Sequence, residues 1–264
     1  MEPLQDVQSQ PDDRRLPIDR VGVKGIRYPI VVKDRSRGSQ RTVASINMYV
    51  NLPHHFKGTH MSRFLEVLAE HDEAISVDSL PDLLHKVQDR LTAEEAHIEL
   101  EFPYFLRKSA PVSGAAALMD YRVRFIGTLH KKRYRMILEV TVPVTTLCPC
   151  SKEISERGAH NQRSHVTVRV RFKKFVWVEE IIEQVESNAS CQLYPILKRP
   201  DEKFVTEQAY DNPRFVEDMV RSVAATLDAD PRISWFSVAA ENFESIHNHS
   251  AYAFIESSRE EETP

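Results

Sequence analysis

Two thiols and two imidazoles lie close together in the stretch Thr145 to Val170, TTLCPCSKEISERGAHNQRSHVTVRV: Cys148, Cys150, His160 and His165. Thiolate and imidazole together suit zinc and other borderline transition metals. The cysteines form Cys-x-Cys, and no Cys-x-x-Cys pair of the zinc-finger kind occurs in the chain. Cys148, Cys150 and His160 are the local candidates for a site that leaves one coordination position open, as catalytic sites do. His165 abuts the following strand pattern and would complete a closed four-ligand site only if it turns toward the loop. The bland alternative is a set of small buried residues and loop histidines.

The elements that must position this loop are legible on both sides of it. Met136 to Val144 reads as one strand. Val166, Val168, Val170 and Phe172 alternate with Thr167, Arg169 and Arg171 in another. Antiparallel neighbours return the chain to the same sheet end, so Cys148 and His160 are expected side by side. Cys148 and Cys150, two apart on an extended backbone, are expected to project the same way.

Three other places carry groups capable of chemistry. Glu202, in KRPDEKF, is a carboxylate between two helix patterns, and a hard ligand or a solvated charge. Glu217 falls in the first turns of a helix opened by Pro213. It either compensates the helix dipole or accepts paired hydrogen bonds from an amidine-like edge such as guanine N1–H and its 2-amino group. Glu244, His247 and His249 sit in ENFESIHNHSAY, where two histidines two apart suit proton transfer or form a polar turn. His54, His55, Lys57, His60 and Arg63 make a basic loop suited to a triphosphate or to solvent. Cys191 stands alone and reads as a buried structural thiol.

Composition narrows the class. The chain has 264 residues, 41% hydrophobic and 28% charged, which is ordinary for a globular protein. A net charge of −4 gives no basic excess to favour nucleic acid as a partner. No apolar run reaches membrane-spanning length, and the polar start MEPLQDVQSQPDDRR lacks a signal-peptide core. Three cysteines fit a reducing cytoplasm. With seven glycines and no Gly-rich phosphate loop, a nucleotide would be held by other means.

Each half reads roughly strand, strand, helix, helix, strand, strand. Gly58-Thr59-His60-Met61-Ser62-Arg63 echoes Gly158-Ala159-His160-Asn161-Gln162-Arg163. Together these predict a duplicated α+β unit: a flexible arm at 1–18, modules at 19–130 and 131–256, and an acidic tail at 257–264.

The chain resembles the type IB GTP cyclohydrolases. The motifs that carry the resemblance are DVQS, VGVKGIRYPI, LPHHFKGTHMSRF, TLCPCSKEIS with GAHNQRSHV, and ENFESIHNHSA. The resemblance implies a bimodular tunnelling fold (T-fold), with antiparallel sheets and helix pairs packed on one face, assembling into a multi-subunit barrel. It implies a homotetramer with active sites at subunit interfaces. The implied reaction is GTP plus water to 7,8-dihydroneopterin triphosphate and formate, by metal-assisted hydrolysis at guanine C8 at the start of tetrahydrofolate synthesis. By position, Cys148, His160 and Glu202 match metal ligands for zinc, manganese or iron. Cys150, His247 and His249 match catalytic groups. Glu217 matches the guanine anchor, with Glu244 as a further substrate contact and Lys57 and Arg63 as triphosphate contacts. An alternative in the same superfold is a nitrile reductase with a cysteine nucleophile and NADPH. A non-catalytic protein with a structural zinc site is the rival from another class.

Overall fold

Asp34 and Gly38 make the first tight connection of the chain. The Asp34 carboxylate accepts from Ser36 N and Oγ, Arg37 N and Gln40 Nε2 at 2.8–3.0 Å, and Gly38 takes φ +78°. Burial works to raise the pKa of Asp34, but these hydrogen bonds outweigh it and hold the carboxyl below its ordinary value. The turn joins β1 (Ile18–Asp34) to β2 (Gly38–Leu52) as a long antiparallel hairpin. At Gly22 a Cβ would lie 1.9 Å from the Met48 carbonyl oxygen, so only glycine lets β1 approach β2 there.

The computed structural model describes residues 8, 10–70 and 75–259. It divides into two compact units, residues 1–102 with 124–137, and residues 103–123 with 138–264. The sequence placed a single boundary at 130/131. The structure instead runs β3 (Glu95–Ser109), β4 (Ala116–His130) and β5 (Arg133–Leu147) through both units, each strand giving part of its length to each.

In the first unit β2 pairs antiparallel with the start of β3. The helices α1 (Ser62–Ala69) and α2 (Leu80–Leu91) bury Phe64, Val67, Leu68, Leu83, Leu84 and Val87 in a core shared with Ile46, Met48 and Ile98. The arm expected to be flexible is tied down within this unit where it is described. Lys57 N and Gly58 N donate to the carbonyls of Gln10 and Gln8, and Gln8 Nε2 donates to Thr59 O at 3.0 Å. Residues 1–7 lie outside the described residues, as do 260–264 of the acidic tail, whose first residues extend β9 to Ser258.

The second unit is an antiparallel run of β5, β6 (Asn161–Phe172), β8 (Ile233–Phe243) and β9 (Ser250–Ser258), with the short β7 (Cys191–Gln192) on β5. Val140, Val142, Val144, Val166, Val168 and Val238 fill one face at the two-residue period of a strand. The helices α4 (Val178–Asn188) and α6 (Val216–Ala229) supply Ile181, Ile182, Val185, Met219, Val220, Val223 and Leu227 to the same core.

Three expectations are corrected in this unit. The cysteine segment is not extended: Pro149–Ile154 forms the short helix α3. Glu202 is not in a loop but in the first turn of an additional helix, α5 (Arg199–Asp211). The last helix begins at Val216, not Pro213. The sequence echo between Gly58–Arg63 and Gly158–Arg163 also has no common structure, since the first enters helix α1 and the second enters strand β6. No helix among the described residues is long and apolar enough to cross a membrane.

Candidate active site

The ends of β5, β6 and β8 set the site. Leu147 pairs with Asn161 and Arg163 with Phe243, so the residues just beyond the strand ends converge. Cys148 N donates to His160 O at 3.1 Å, which brings the thiol-bearing and imidazole-bearing residues opposite one another as expected. His160 Nδ1 lies 3.9 Å from Glu244 Oε2 and 3.3 Å from Ser245 Oγ. The His160 and Glu244 side chains are only 15% and 13% exposed. Glu244 Oε2 is fully enclosed and has no hydrogen-bond partner. A buried carboxylate oxygen without a donor is costly, so it marks a place where a proton or a ligand group belongs.

Local sequence explains how Cys148 is held. It is the N-cap of α3, with Pro149 at the first helical position, and its sulfur accepts from Ser151 N at 3.5 Å. Ser151 Oγ donates to Cys148 O at 3.1 Å and accepts from His160 N at 3.2 Å. One serine thus clasps both residues of the pair. Ser151 and Ser245 were missed from the sequence. Cys-Pro-Cys-Ser is a helix-start pattern, with proline just inside and a hydrogen-bonding residue three beyond the cap, and could have indicated Ser151. Nothing local indicated Ser245, because its contact with His160 is long-range.

Cys150, on the helix rather than a strand, is exposed and does not share the side of Cys148 in the manner of an extended segment. His247 and His249 are exposed, and their rings stack with centroids 5.1 Å apart and planes 20° apart. They face the same way although the segment is bent rather than extended. Glu217 is exposed in the first turn of α6, where Asp218 rather than Glu217 takes the capping bond, accepting from Phe215 N at 3.0 Å. His165 packs against Phe243 within the strands, ring centroids 4.9 Å apart. Burial, then Arg122 and Arg163, lowers its pKa below 6.5. Lys57 and Arg63 belong to the first unit, and Arg63 Nη1 donates to Arg90 O at 3.4 Å. Cys191 is buried, as expected, and burial raises its pKa.

Glu202 lies in the first turn of α5. The far end of α5 reaches α3, where Lys152 Nζ donates to Tyr210 O and lies 4.2 Å from the Tyr210 ring centroid. Glu202 is two turns back along that helix, about 12 Å at helical rise. Its neighbour Asp201 is fully buried and accepts from Val112 N, Ser113 N, Ser113 Oγ and Lys198 N at 2.6–2.8 Å. Burial opposes ionisation of Asp201, but these bonds prevail and hold its carboxyl well below the usual range. Among the described residues no three His, Cys, Asp or Glu side chains converge as a metal cluster. Cys148 and His160 fit a borderline cation as soft and nitrogen donors, with the orphaned Glu244 oxygen alongside.

An antiparallel α+β protein with a thiol, an imidazole and a buried carboxylate at one sheet end is the class that the geometry defines. Solved structures share the fold at low identity. A urate oxidase from Bacillus subtilis 168 matches with a TM-score of 0.54 at 9% identity, covering 91% of this chain and 98% of that one. A urate oxidase mutant from Bacillus sp. TB-90 matches with a TM-score of 0.54 at 8% identity, covering 91% and 100%. The family described as GCHY-1, type I GTP cyclohydrolase folE2, matches residues 4–253, and the chain belongs to that family. Its relatives include a GTP cyclohydrolase FolE2 of Magnetococcus marinus, 72% identical over 254 residues and 96% of each chain. Another, from Nitrosococcus oceani, is 59% identical over 254 residues, 96% of this chain and 95% of that protein.

Proposed function

We propose that this chain converts GTP and water to 7,8-dihydroneopterin triphosphate and formate by hydrolysis at guanine C8, the first step of tetrahydrofolate synthesis. The observation that carries the reading is the row Cys148–His160–Glu244 at one sheet end, in a chain 72% identical along nearly its whole length to a GTP cyclohydrolase FolE2. The cofactor we propose is zinc, manganese or iron, which Cys148 and His160 would hold as thiolate and imidazole donors, with Glu202 proposed as third ligand from its motif position alone. When bound, such an ion lowers the pKa of water so that hydroxide is available near neutral pH.

The chain's own residues do the rest. Glu217, exposed and not spent on capping, accepts the guanine N1–H and 2-amino group together, which fixes the base and its orientation. Glu244, enclosed beside the imidazole of His160, contacts the substrate through its unpartnered Oε2. The stacked His247 and His249 give a proton to a ring nitrogen as the five-membered ring opens. Cys150, exposed on α3, relays protons at the rim. Lys57 and Arg63 neutralise the triphosphate.

The same reading makes the protein a cytoplasmic type IB enzyme with a T-fold, a homotetramer whose barrel brings residues of several subunits to each site. The nitrile-reductase alternative gains no support from the relatives, which are GTP cyclohydrolases.

The experiment is formate release from GTP by the purified protein, with and without EDTA, followed beside circular dichroism. Formate and pterin fluorescence that vanish on chelation, from a protein that stays folded, are expected. Absence of formate from fully metallated protein, or unfolding on chelation, overturns the reading.

A further inference from the structure

Directly beneath the Cys148–His160–Glu244 row lies a second row, polar and buried. Thr146 Oγ1 and Ser164 Oγ are 2.7 Å apart, and Ser164 Oγ donates to Asn242 Oδ1 at 2.7 Å. Because the Ser164 proton is committed to Asn242, Thr146 is the donor in the first bond. The three residues are 0%, 0% and 3% exposed. They lie on β5, β6 and β8, the three strands whose ends carry the site.

Strand periodicity links the two rows. Cys148 follows Thr146 by two residues, Glu244 follows Asn242 by two, and His160 precedes Ser164 by four, so each site residue lies just beyond the strand end that its buried partner anchors. Ser164 is directly opposite Asn242, while Thr146 is opposite Gln162, so the Thr146–Ser164 bond runs diagonally. Farther from the site the same face is filled by Val140, Val142, Val144, Val166, Val168, Val238 and Ala240. Burying three polar groups where valine packs is unfavourable unless their bonds are made. What the bonds add is direction: apolar contacts tolerate small lateral slips, whereas two 2.7 Å bonds fix three strand ends against each other.

We propose that the Thr146–Ser164–Asn242 line is a positioning clamp that sets the mutual placement of Cys148, His160 and Glu244. It rests on the site reading given above. None of the three touches the substrate; they act through the residues two or four positions away.

The test compares Thr146→Val, Thr146→Ser and Thr141→Val in the full chain. Thr141 is the control: its Oγ1 lies 3.1 Å from Thr167 Oγ1 across the same strand pair, farther from the site. Metal retention is read by loading with cobalt and measuring its loss on dialysis, which needs no GTP. T146V is expected to lose cobalt faster than wild type. Its kcat should fall about tenfold or more, since misplacement on the order of 1 Å can cost up to about a hundredfold. KM for GTP should stay within about twofold, because Glu217 is on α6 and off the clamp. T146S should restore cobalt retention and kcat, and T141V should leave both unchanged while lowering thermal stability.

Cobalt retention and kcat equal to wild type in T146V, or equal losses in T146V and T141V, overturn the clamp. If wild type releases no formate, the cyclohydrolase reading fails, and cobalt retention alone still decides the clamp. Should T146V not fold, Ser164→Ala, which removes both bonds, is judged by the same outcomes.

Discussion

Glu217→Gln separates recognition from stability. Glu217 is exposed in the first turn of a 14-residue helix, and Asp218 already accepts the Phe215 N–H that would otherwise need capping. Removing the Glu217 charge therefore costs the fold only its interaction with the helix dipole, about 0.3–1 kcal/mol. Recognition of guanine loses more. A carboxylate accepts from both N1–H and the 2-amino group, while the amide offers one oxygen and turns an N–H toward a donor. Hydrogen bonds to a charged group contribute about 1.5–3 kcal/mol, which corresponds to a roughly 10- to 150-fold fall in kcat/KM for GTP. The assay is formate release and pterin fluorescence across GTP concentrations, with a thermal melt of the same preparation. A kcat/KM within about twofold of wild type, with an unchanged melt, would refute the role of Glu217.

Cys148→Ala should strip the bound metal, and Glu202→Gln should weaken it if Glu202 is the third ligand; metal content after dialysis checks both, and full retention in either removes that residue from the ligand set. Ser190→Ala should destabilise the chain by about 1–3 kcal/mol in a denaturant melt, because the buried Ser190 Oγ accepts from Leu147 N at 3.0 Å and the N–H would be left unmatched. His97 is 6% exposed, beside Glu95 Oε1 at 2.8 Å and Thr128 Oγ1 at 3.0 Å, and burial, then Arg20, lowers its pKa from 6.5 despite Glu95. The native state thus holds the neutral ring, and the unfolded chain binds the proton more readily. Its stabilisation is present above pH 6.5 and is lost as pH falls from there through the depressed native value. Melts at successive pH values should show this fall, and His97→Gln should flatten it.

The strands on either side of the cysteine loop were legible because burial on one face imposes a period of two, and Val140, Val142, Val166 and Val168 obey it. The same alternation placed Cys148 opposite His160 before any coordinates, since antiparallel pairing leaves little choice at a strand end. The amphipathic faces of α2 and α6 were equally plain in their leucines, valines and methionine. Two short-range signals went unread. Pro149 and Pro200 sit just inside α3 and α5, where proline favours a helix start, and both helices were taken for extended or loop segments. The α5 error placed Glu202 on a loop and hid Asp201, three of whose four hydrogen bonds hold that helix start to the turn at Val112–Ser113.

By itself, then, the amino-acid order determined the family, the residue types at the site and the strand pair that brings sulfur to imidazole, because motif and periodicity are local properties. The tertiary structure alone decided that Glu244 is the carboxylate beside His160, that Ser245 reaches the His160 imidazole, and that a buried hydroxyl–amide line runs under the pair. It alone showed β3, β4 and β5 each serving two units. These are contacts between residues far apart in the chain, and nothing in a residue's own neighbourhood records which distant partner the packed sheet will set beside it.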